Sequence, residues 1–355
     1  MTRPYISVLV DTYNHERFIE EALVSVLEQD ISDADREVIV VDDGSSDRTP
    51  EIVGKFAPQV RLIRKQNGGQ ASAFNAGIPE CAGEIVAFLD GDDWWAPGKL
   101  RAVADTLAAD KEVGLVGHGI TEVFADGRHH AELLRDAPRF RLTSRAGAET
   151  FRLRKSFLGT SRMTCRTRIL REIGRVPEPL RFQADEYIFT LAGVFGDVLI
   201  LRESLTFYRL HDANLFQLGD GDARAVRRKG DVMAALAQAL REEMRRRDVD
   251  RDVTRIVVGW VQNEADQLSL LANGGMPWKT VRTELNTYRV THPSASMARW
   301  MFKCATLLPA CVLPPKTYYS WKRQFAENAW YRKTREKWLP YLQPGHVDRY
   351  RRQRT

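Results

Sequence analysis

The chain has 355 residues, of which 43% are hydrophobic, and its formal net charge at pH 7 is +6. This length suits one large domain with a smaller one, or two domains of ordinary size, and the apolar fraction suffices for a packed core. The first residues lack the basic and apolar segments of a secretory signal, so we expect a cytoplasmic protein. The four cysteines contain no C-x-x-C, which argues against a zinc knuckle or a disulfide framework and favours buried free thiols.

Charge is unevenly distributed along the chain. Residues 222–355 contain 26 Lys and Arg against 13 Asp and Glu, whereas residues 1–221 have a net charge of −7. From about residue 222 onwards, apolar residues recur at helical spacing. We therefore expect a domain over residues 1–221 and a basic, helical region over residues 222–355, with different roles.

The first third of the chain alternates strand and helix patterns. Short apolar runs predict strands at 5–10, 37–41, 60–64 and 84–89, and two more at 198–201 and 205–210. Apolar residues at helical spacing predict helices over about 18–27, 71–78 and 99–109, the first of them capped by Asn14. Because the early strands are apolar on both faces, the pattern indicates a parallel sheet covered by helices. Residues 130–180 favour short strands and loops around a second substrate.

Acidic residues follow three of the predicted strands, at the edge where a doubly wound sheet binds its ligand. The loop after the fourth strand reads Asp-Gly-Asp-Asp and places three carboxylates within four positions. An Asp-x-Asp pair can approach one hard cation, and Mg²⁺ or Mn²⁺ would complete its shell with substrate phosphates. The acidic residues at these strand ends are Asp11, Asp42, Asp43, Asp90, Asp92 and Asp93.

Three stretches, ISVLVDTYNHERF, EVIVVDDGSSDRT and QNGGQASAFNAGIPECAGEIVAFLDGDDWWAP, resemble family 2 glycosyltransferases, strongly over about residues 4–110. A weaker resemblance extends to about residue 215 through QADEYIFTLAG and LTFYRLH. It implies an α/β GT-A fold with a Rossmann-like mixed sheet, divided into a nucleotide-sugar half (1–120) and an acceptor half (121–221). It also implies inverting, metal-dependent sugar transfer to a hydroxyl, in cell-surface polysaccharide or glycolipid assembly.

The resemblance implies a site for a nucleotide-diphosphate sugar, for which we favour a UDP-sugar. Asp43 would accept a hydrogen bond from the base, and Asp90 would face the ribose and the sugar. Asp11 stands where the family usually has proline and would lie near the nucleotide. Asp93 either supports the site or caps the following helix. The predicted donor-site residues are Asp11, Tyr13, Asp43, Asn67, Gly68, Gly69, Asn75, Asp90 and Gly91.

Two further elements of the site follow from the resemblance. The metal ligands would be Asp92 and Asp90, with His211 from a Tyr-Arg-x-His pattern, although a lone His at a strand end is often simply polar. The base that deprotonates the acceptor would come from Asp185 and Glu186, which stand in the reverse of the family's usual order. We expect Asp185 to be the base, with Glu186 as the alternative; both residues also suit a helix N-terminus.

The C-terminal residues 297–355 contain 13 Lys and Arg against 3 Asp and Glu, together with many aromatic residues. The uncharged stretch 304–315 is too short to span a membrane, which takes about 20 apolar residues. This composition suits peripheral contact with the inner face of a membrane that carries a lipid-linked acceptor. Packing on the same domain or on a second subunit is the alternative, and no nucleic-acid motif is present.

Other functions remain in competition. A nucleotidyltransferase would carry a Gly-rich, basic loop after the first strand, and a dehydrogenase would carry G-x-G-x-x-G there; this chain has neither. A non-catalytic scaffold with a GT-A-like fold stays open because the Asp185-Glu186 pair is reversed. Trp94 and Trp95 would stack on a sugar or pack in the core. The acceptor, a carbohydrate or a lipid-linked sugar, is not specified by any motif.

Overall fold

The computed structural model describes residues 5–132, 134–211, 223–292 and 295–327. The described residues up to 211 form one compact unit, and those from 223 onwards form a second. The first unit is built on a mixed ten-stranded sheet of order β3-β2-β1-β4-β9-β6-β10-β5, with β7 beside β6 and β8 beside β10. The strands are β1 Ile6–Thr12, β2 Arg36–Asp42, β3 Val60–Arg64, β4 Ile85–Asp90, β5 Trp94–Trp95, β6 Val113–Val123, β7 His129–Ala131, β8 Arg139–Phe140, β9 Thr164–Arg166 and β10 Asp197–Arg209.

Helices connect and cover these strands. The predicted helices at 18–27, 71–78 and 99–109 correspond to α1, α3 and α4, so these predictions are confirmed within two residues. The helices of this unit are α1 Ile19–Leu27, α2 Thr49–Gly54, α3 Gln70–Gly77, α4 Lys99–Ala109, α5 Arg145–Arg154, α6 Thr167–Ile173 and α7 Ala184–Phe195.

The parallel part of the sheet comprises β3, β2, β1 and β4, as the four early apolar runs predict. Strands β1 and β4 are buried almost throughout because helices cover both faces of the sheet. Val8 and Val10 of β1 pack in one core cluster with Ala22 and Leu23 of α1. Beyond β4 the sheet becomes mixed, since β9 is antiparallel to both β4 and β6.

Three local predictions are wrong. The runs 198–201 and 205–210 form one strand, β10, because its backbone stays paired with β6 through register shifts near the polar residues Arg202–Ser204. Asn14 does not cap α1: its backbone has φ of +57°, and its side chain accepts a hydrogen bond from the N–H of Ser46. The segment 130–180, expected as strands and loops, also contains α5 and α6.

The second unit is helical in its described part, in agreement with the predicted periodicity. Helices α8 and α9 pack against each other through apolar stripes that include Leu236, Leu240 and Val257. None of the described helices is long and apolar enough to cross a bilayer. Cys304 and Cys311 are exposed, unlike the buried thiols expected. The helices are α8 Ala223–Arg246, α9 Arg251–Asn273, α10 Pro277–Thr291, α11 Met297–Thr306, α12 Leu308–Val312 and α13 Pro315–Glu327.

Candidate active site

Acidic residues meet at the carboxyl ends of the parallel strands. Asp11 at the end of β1 lies beside Asp90 at the end of β4, and Thr12 lies beside Asp42 of β2. This alignment follows from the parallel register, which brings successive strand ends to one edge of the sheet. The loops that leave this edge therefore surround one shared site.

The acidic loop, residues 90–93, turns sharply from β4 into β5. Asp93 is buried, and its Oδ2 accepts a hydrogen bond of 2.6 Å from Ser161 Oγ. Its Oδ1 accepts a second bond, of 3.0 Å, from the backbone N–H of Arg209. Asp93 thus fastens the loop to two other segments and does not cap α4, whose N-cap is Gly98.

The carboxyl groups in this site raise one another's pKa. Burial raises the pKa of Asp11 to about 8, and the nearby Asp92 and Asp185 add to the rise. Burial and the charges of Asp11, Asp92 and Asp93 raise the pKa of Asp90 well above its usual value. Burial likewise raises the pKa of Asp93. Carboxyl groups this close together repel one another when ionised. A bound cation would relieve that repulsion and would itself be held by the carboxylates.

Asp92 has a different environment from its neighbours. Burial opposes its ionisation, but a hydrogen bond from His211 and the nearby His15 bring its pKa below the usual value. His211 Nε2 lies 3.0 Å from Asp92 Oδ2, and His15 Nε2 lies 3.8 Å from the same oxygen. The two imidazoles come from opposite ends of the unit, one from the loop after β1 and one just after β10.

Arg209, the last residue of β10, holds the acidic loop from one side. Its Nε donates a 3.0 Å hydrogen bond to the carbonyl oxygen of Asp92. Its guanidinium carbon lies 4.8 Å from the ring centre of Phe18 and 4.4 Å from that of Trp94. Trp94 in turn stacks on Phe207 at 5.1 Å, so its ring faces a neighbouring side chain. Arg209 therefore places a fixed cation beside the carboxylates.

Asp185 and Glu186 lie in the first turn of α7. Asp185 Oδ2 accepts hydrogen bonds from the N–H and the Oγ1 of Thr160, at 3.2 and 3.3 Å. Burial raises the pKa of Asp185 to about 6, and the adjacent Glu186 contributes to the rise. Glu186 is more deeply buried and forms an ion pair with Lys155. The two carboxylates therefore have different roles available to them.

Asp43 is buried behind a loop that leads into α3. Its carboxylate accepts hydrogen bonds from the backbone N–H groups of Gly68 and Gly69, the shortest of them 2.6 Å. Lys65 Nζ lies 2.6 Å from Asp43 Oδ1. Asn67, the remaining residue predicted in this loop, accepts a 2.6 Å hydrogen bond from Arg181. Asp43 thus shapes the loop that the sequence predicts for the nucleotide.

The other predicted residues occupy varied positions. Tyr13 is 45% exposed at the edge of the site. Gly91 lies against Thr12 and His15, with no room for a side chain. The side chain of Asn75 is directed at Val176 and not at the acidic residues of the site. Its amide donates to the carbonyl of Val176 and accepts from the N–H of the same residue, both at 2.8 Å.

A divalent cation is the cofactor that the sequence predicts. Within the described ranges, no three His, Cys, Asp or Glu side chains form a ready-made metal site. The donor types nevertheless suit Mn²⁺ or Mg²⁺, which prefer carboxylate oxygens. Asp11 Oδ1 is buried and has no hydrogen-bond partner among the residues described, as expected of an oxygen that faces a polar ligand.

Several residues of this site are absent from the sequence predictions. Thr160 and Ser161 contact Asp185, Asp90 and Asp93 but belong to no recognisable motif. No local signal in the sequence marks them, since their partners lie more than 20 positions away. His15 had a signal, because it lies in the loop after β1 on the ligand-binding edge.

Comparison with known proteins finds a family match over the first part of the chain. Residues 7–174 match the model of glycosyl transferase family 2. The chain is 31% identical over 216 residues to the uncharacterized glycosyltransferase alr2836 of Nostoc sp., across 59% of this chain and 66% of that protein. The match thus spans slightly less than two thirds of the relative's own length.

Two solved structures share the fold. S. aureus TarS in complex with UDP-GlcNAc has a TM-score of 0.52 at 20% identity, covering 81% of this chain and 90% of that chain. The mannosyltransferase PcManGT from Pyrobaculum calidifontis, in complex with GDP-Man and Mn²⁺, has a TM-score of 0.51 at 21% identity, covering 88% and 87%. Residues 7–174 are thus similar to glycosyl transferase family 2, and the chain shares the GT-A fold of these two solved structures.

Proposed function

We propose that the chain transfers a sugar from a nucleotide-diphosphate donor to an acceptor hydroxyl, with inversion at the anomeric carbon. The observation that carries this proposal is the meeting of the acidic loop with the start of α7. Asp185 accepts hydrogen bonds from Thr160, and the hydroxyl of the next residue, Ser161, contacts Asp90 and Asp93. A base and a donor-binding loop at one site are what a direct displacement requires.

We assign the base role to Asp185. In the displacement, the acceptor oxygen bonds to the anomeric carbon while the bond from that carbon to the diphosphate oxygen breaks. The hydroxyl proton passes to the Asp185 carboxylate, and the nucleoside diphosphate leaves with the bonding electron pair. A pKa of about 6 lets this carboxylate accept a proton near neutral pH. Glu186 is less suited because Lys155 already neutralises it.

Asp92 and His211 would hold a divalent cation, with Asp90 beside them. When bound, Mn²⁺ or Mg²⁺ supplies positive charge that stabilises the departing diphosphate. Arg209, which also pairs with Glu21, places a guanidinium on the same side. The complex of PcManGT with GDP-Man and Mn²⁺ supports a cation of this kind in a protein of the same fold.

The donor class follows from the same site, and we favour a UDP-sugar. TarS in complex with UDP-GlcNAc and PcManGT with GDP-Man have the same fold as this chain, so both nucleotides belong in the screen. The purified protein is incubated with UDP-, GDP- and dTDP-sugars and Mn²⁺, and the released nucleoside diphosphate is measured. We expect release with at least one donor and its loss on chelation of the metal.

Three variants make this experiment specific. Asp185→Asn should keep donor binding and lose transfer, whereas Asp126→Asn, in an exposed turn, should behave as the wild type. Glu186→Gln should retain most activity. Full activity of Asp185→Asn would exclude this residue as the base. Absence of both turnover and metal-dependent nucleotide binding would support a scaffold instead.

We also propose that α11 and α12 dock onto an anionic membrane surface. Five apolar side chains of these helices are 67–78% exposed, far more than a packed helix presents. Residues 284–327 contain six Lys and Arg against two Glu, and Glu284 pairs with Lys303 and Lys322. Positive charge beside exposed apolar side chains suits anionic lipid. The exposed side chains are Met297, Met301, Phe302, Leu308 and Val312.

On this proposal, residues 1–221 carry the transfer site and residues 222–355 bring it to a lipid-linked acceptor in polysaccharide or glycolipid assembly. Sedimentation with phosphatidylserine-containing vesicles tests the docking. The double variant Met301→Gln, Phe302→Gln should bind about tenfold more weakly. Leu153→Gln, a partly exposed apolar residue of α5, is the matched control. No vesicle binding by the wild type, or a wild-type dimer that the double variant dissociates, would contradict the proposal.

A further inference from the structure

Thr160 and Ser161 form a buried turn between the two acidic parts of the site. Each is only 3% exposed, and the turn Thr160–Arg162 directly precedes β9. Neither side chain is charged, and neither contributes to a hydrophobic cluster. Their hydroxyl groups point instead toward carboxylates that lie on different elements.

Ser161 binds the acidic loop. The N–H of Asp90 donates to Ser161 Oγ at 3.1 Å, which directs the hydroxyl proton toward Asp93 Oδ2, 2.6 Å away. The Ser161 carbonyl accepts hydrogen bonds from Trp95 Nε1 at 3.1 Å and from Thr206 Oγ1 at 2.7 Å. Ser161 is thus fixed by β5 and β10 while it holds the loop.

Thr160 binds the proposed base. Gln70 Nε2 donates to Thr160 Oγ1 at 2.9 Å, and Gln70 Oε1 accepts from the N–H of Ala184, which fixes the amide orientation. Because an amide nitrogen only donates, the Thr160 hydroxyl proton is left for Asp185. The hydroxyl and the N–H of Thr160 together hold Asp185 Oδ2.

We infer that Thr160 and Ser161 are positioning residues that set the spacing between the base and the donor-binding loop. One peptide bond joins the two residues, so a single turn contacts both Asp185 and the acidic loop. On this assignment the two residues contact neither the acceptor oxygen nor the anomeric carbon. Thr160 acts through Asp185, and Ser161 acts through Asp90 and Asp93. This inference rests on the proposed function. It assigns Thr160 an effect on the base and Ser161 an effect on the donor-binding loop.

The first test replaces the Thr160 hydroxyl. Thr160→Val keeps the shape and the backbone N–H but removes one donor to Asp185, so kcat should fall about tenfold with donor affinity unchanged. The acid limb of the pH–rate profile should move to higher pH, since a hydrogen bond that favours the ionised base is lost. The titratable groups that act on Asp185 are Glu186, Asp11 and Asp90, and all remain in place. Thr160→Ser keeps the hydroxyl and should therefore have the wild-type kcat and the wild-type acid limb.

The second test replaces the Ser161 hydroxyl. Ser161→Ala removes the donor to Asp93, so about tenfold more Mn²⁺ and donor should be needed for half-maximal rate. The acid limb of its pH–rate profile should stay where it is in the wild type. The two substitutions therefore separate the effect on the base from the effect on the loop.

The outcomes distinguish this inference from the proposed function. If Asp185→Asn abolishes transfer while Thr160→Val and Thr160→Ser behave alike, the positioning inference is wrong and the function stands. Equal losses of kcat and donor affinity in Thr160→Val and Ser161→Ala would also overturn it, because a purely structural turn would act in that way. Melting temperatures of each variant show that the folded protein is being compared.

Discussion

Asp185 and Glu186 are consecutive in the chain, yet α7 gives them different partners. Glu186 is buried, and its carboxylate forms an ion pair with Lys155. The charge of Asp185 acts on Asp11 and Asp90 at the strand ends, and its carboxylate accepts hydrogen bonds from Thr160. On the proposed function, the reversed order therefore still leaves a carboxylate for the base role. It is the first residue of the pair, instead of the second, that contacts the turn joined to the acidic loop.

The pH dependence of transfer should report the ionisation of Asp185. Burial and Glu186 raise its pKa to about 6, and the base must be ionised, so kcat/KM should rise as pH increases through about 6 and then level off. Glu186→Gln removes a negative neighbour, which should move this acid limb to lower pH. Rates measured from about pH 5 to about pH 8 test both statements. A profile without an acid limb in that range, or an unshifted limb in Glu186→Gln, would contradict the assignment.

The elements that carry the site differ in how far the sequence predicts them. Strands β1, β2 and β4 are predicted because each contains a continuous apolar run, and β3 because three of its five residues are apolar. The parallel order of these strands places the acidic residues together. Strand β10 is predicted as two pieces, since the polar stretch Arg202–Ser204 interrupts an apolar pattern while its backbone pairing with β6 continues. The pattern of apolar side chains in a sequence shows which residues are buried. It does not show where backbone pairing ends, because that pairing depends on the neighbouring strand.

Within the site, too, some residues are predictable from the sequence and others are not. The residues predicted for it lie in stretches that resemble a family, where spacing along the chain is informative. Thr160 and Ser161 come from the segment 130–180, whose helices α5 and α6 are also unpredicted. Their roles depend on contacts with β4 and α7, and such long-range contacts leave no local trace in the sequence.

The loop from Asn67 to α3 shows how an element depends on its glycines. Gly69 has φ of +86°, and a Cβ there would lie 2.6 Å from the Arg181 backbone. Gly127 has a similar φ of +80°, but a Cβ there would have no atom within 4 Å. Gly127→Ala should therefore cost about 1–2 kcal/mol from the backbone alone, and Gly69→Ala distinctly more. Thermal unfolding compares the two; equal destabilisation would show that the close approach to Arg181 carries no cost.

At the scale of the whole molecule, charge is divided between the two parts of the chain. Residues 1–221 are acidic and residues 222–355 are basic, and the exposed apolar side chains of α11 and α12 belong to the basic part. This division suits a protein whose acidic part gathers a cation and a diphosphate while its basic part contacts an anionic surface.

Salt should weaken the proposed membrane contact. Raising the ionic strength from about 0.1 M to about 1 M shortens the screening length from about 10 Å to about 3 Å, so binding to anionic vesicles should fall severalfold. The residual binding should depend on Met301 and Phe302, because apolar burial is not screened. Sedimentation at both salt concentrations, with the wild type and the Met301→Gln, Phe302→Gln variant, measures the two contributions. Binding that salt leaves unchanged would argue against an electrostatic contribution.

The central claim is that the loop after β4 binds a divalent cation together with a nucleoside diphosphate. Calorimetric titration of UDP into the protein, with and without Mn²⁺, tests it most directly. We predict binding that requires Mn²⁺, that is lost in Asp92→Asn, and that persists in Asp126→Asn. Metal-independent binding of equal strength, or unchanged binding by Asp92→Asn, would contradict the claim.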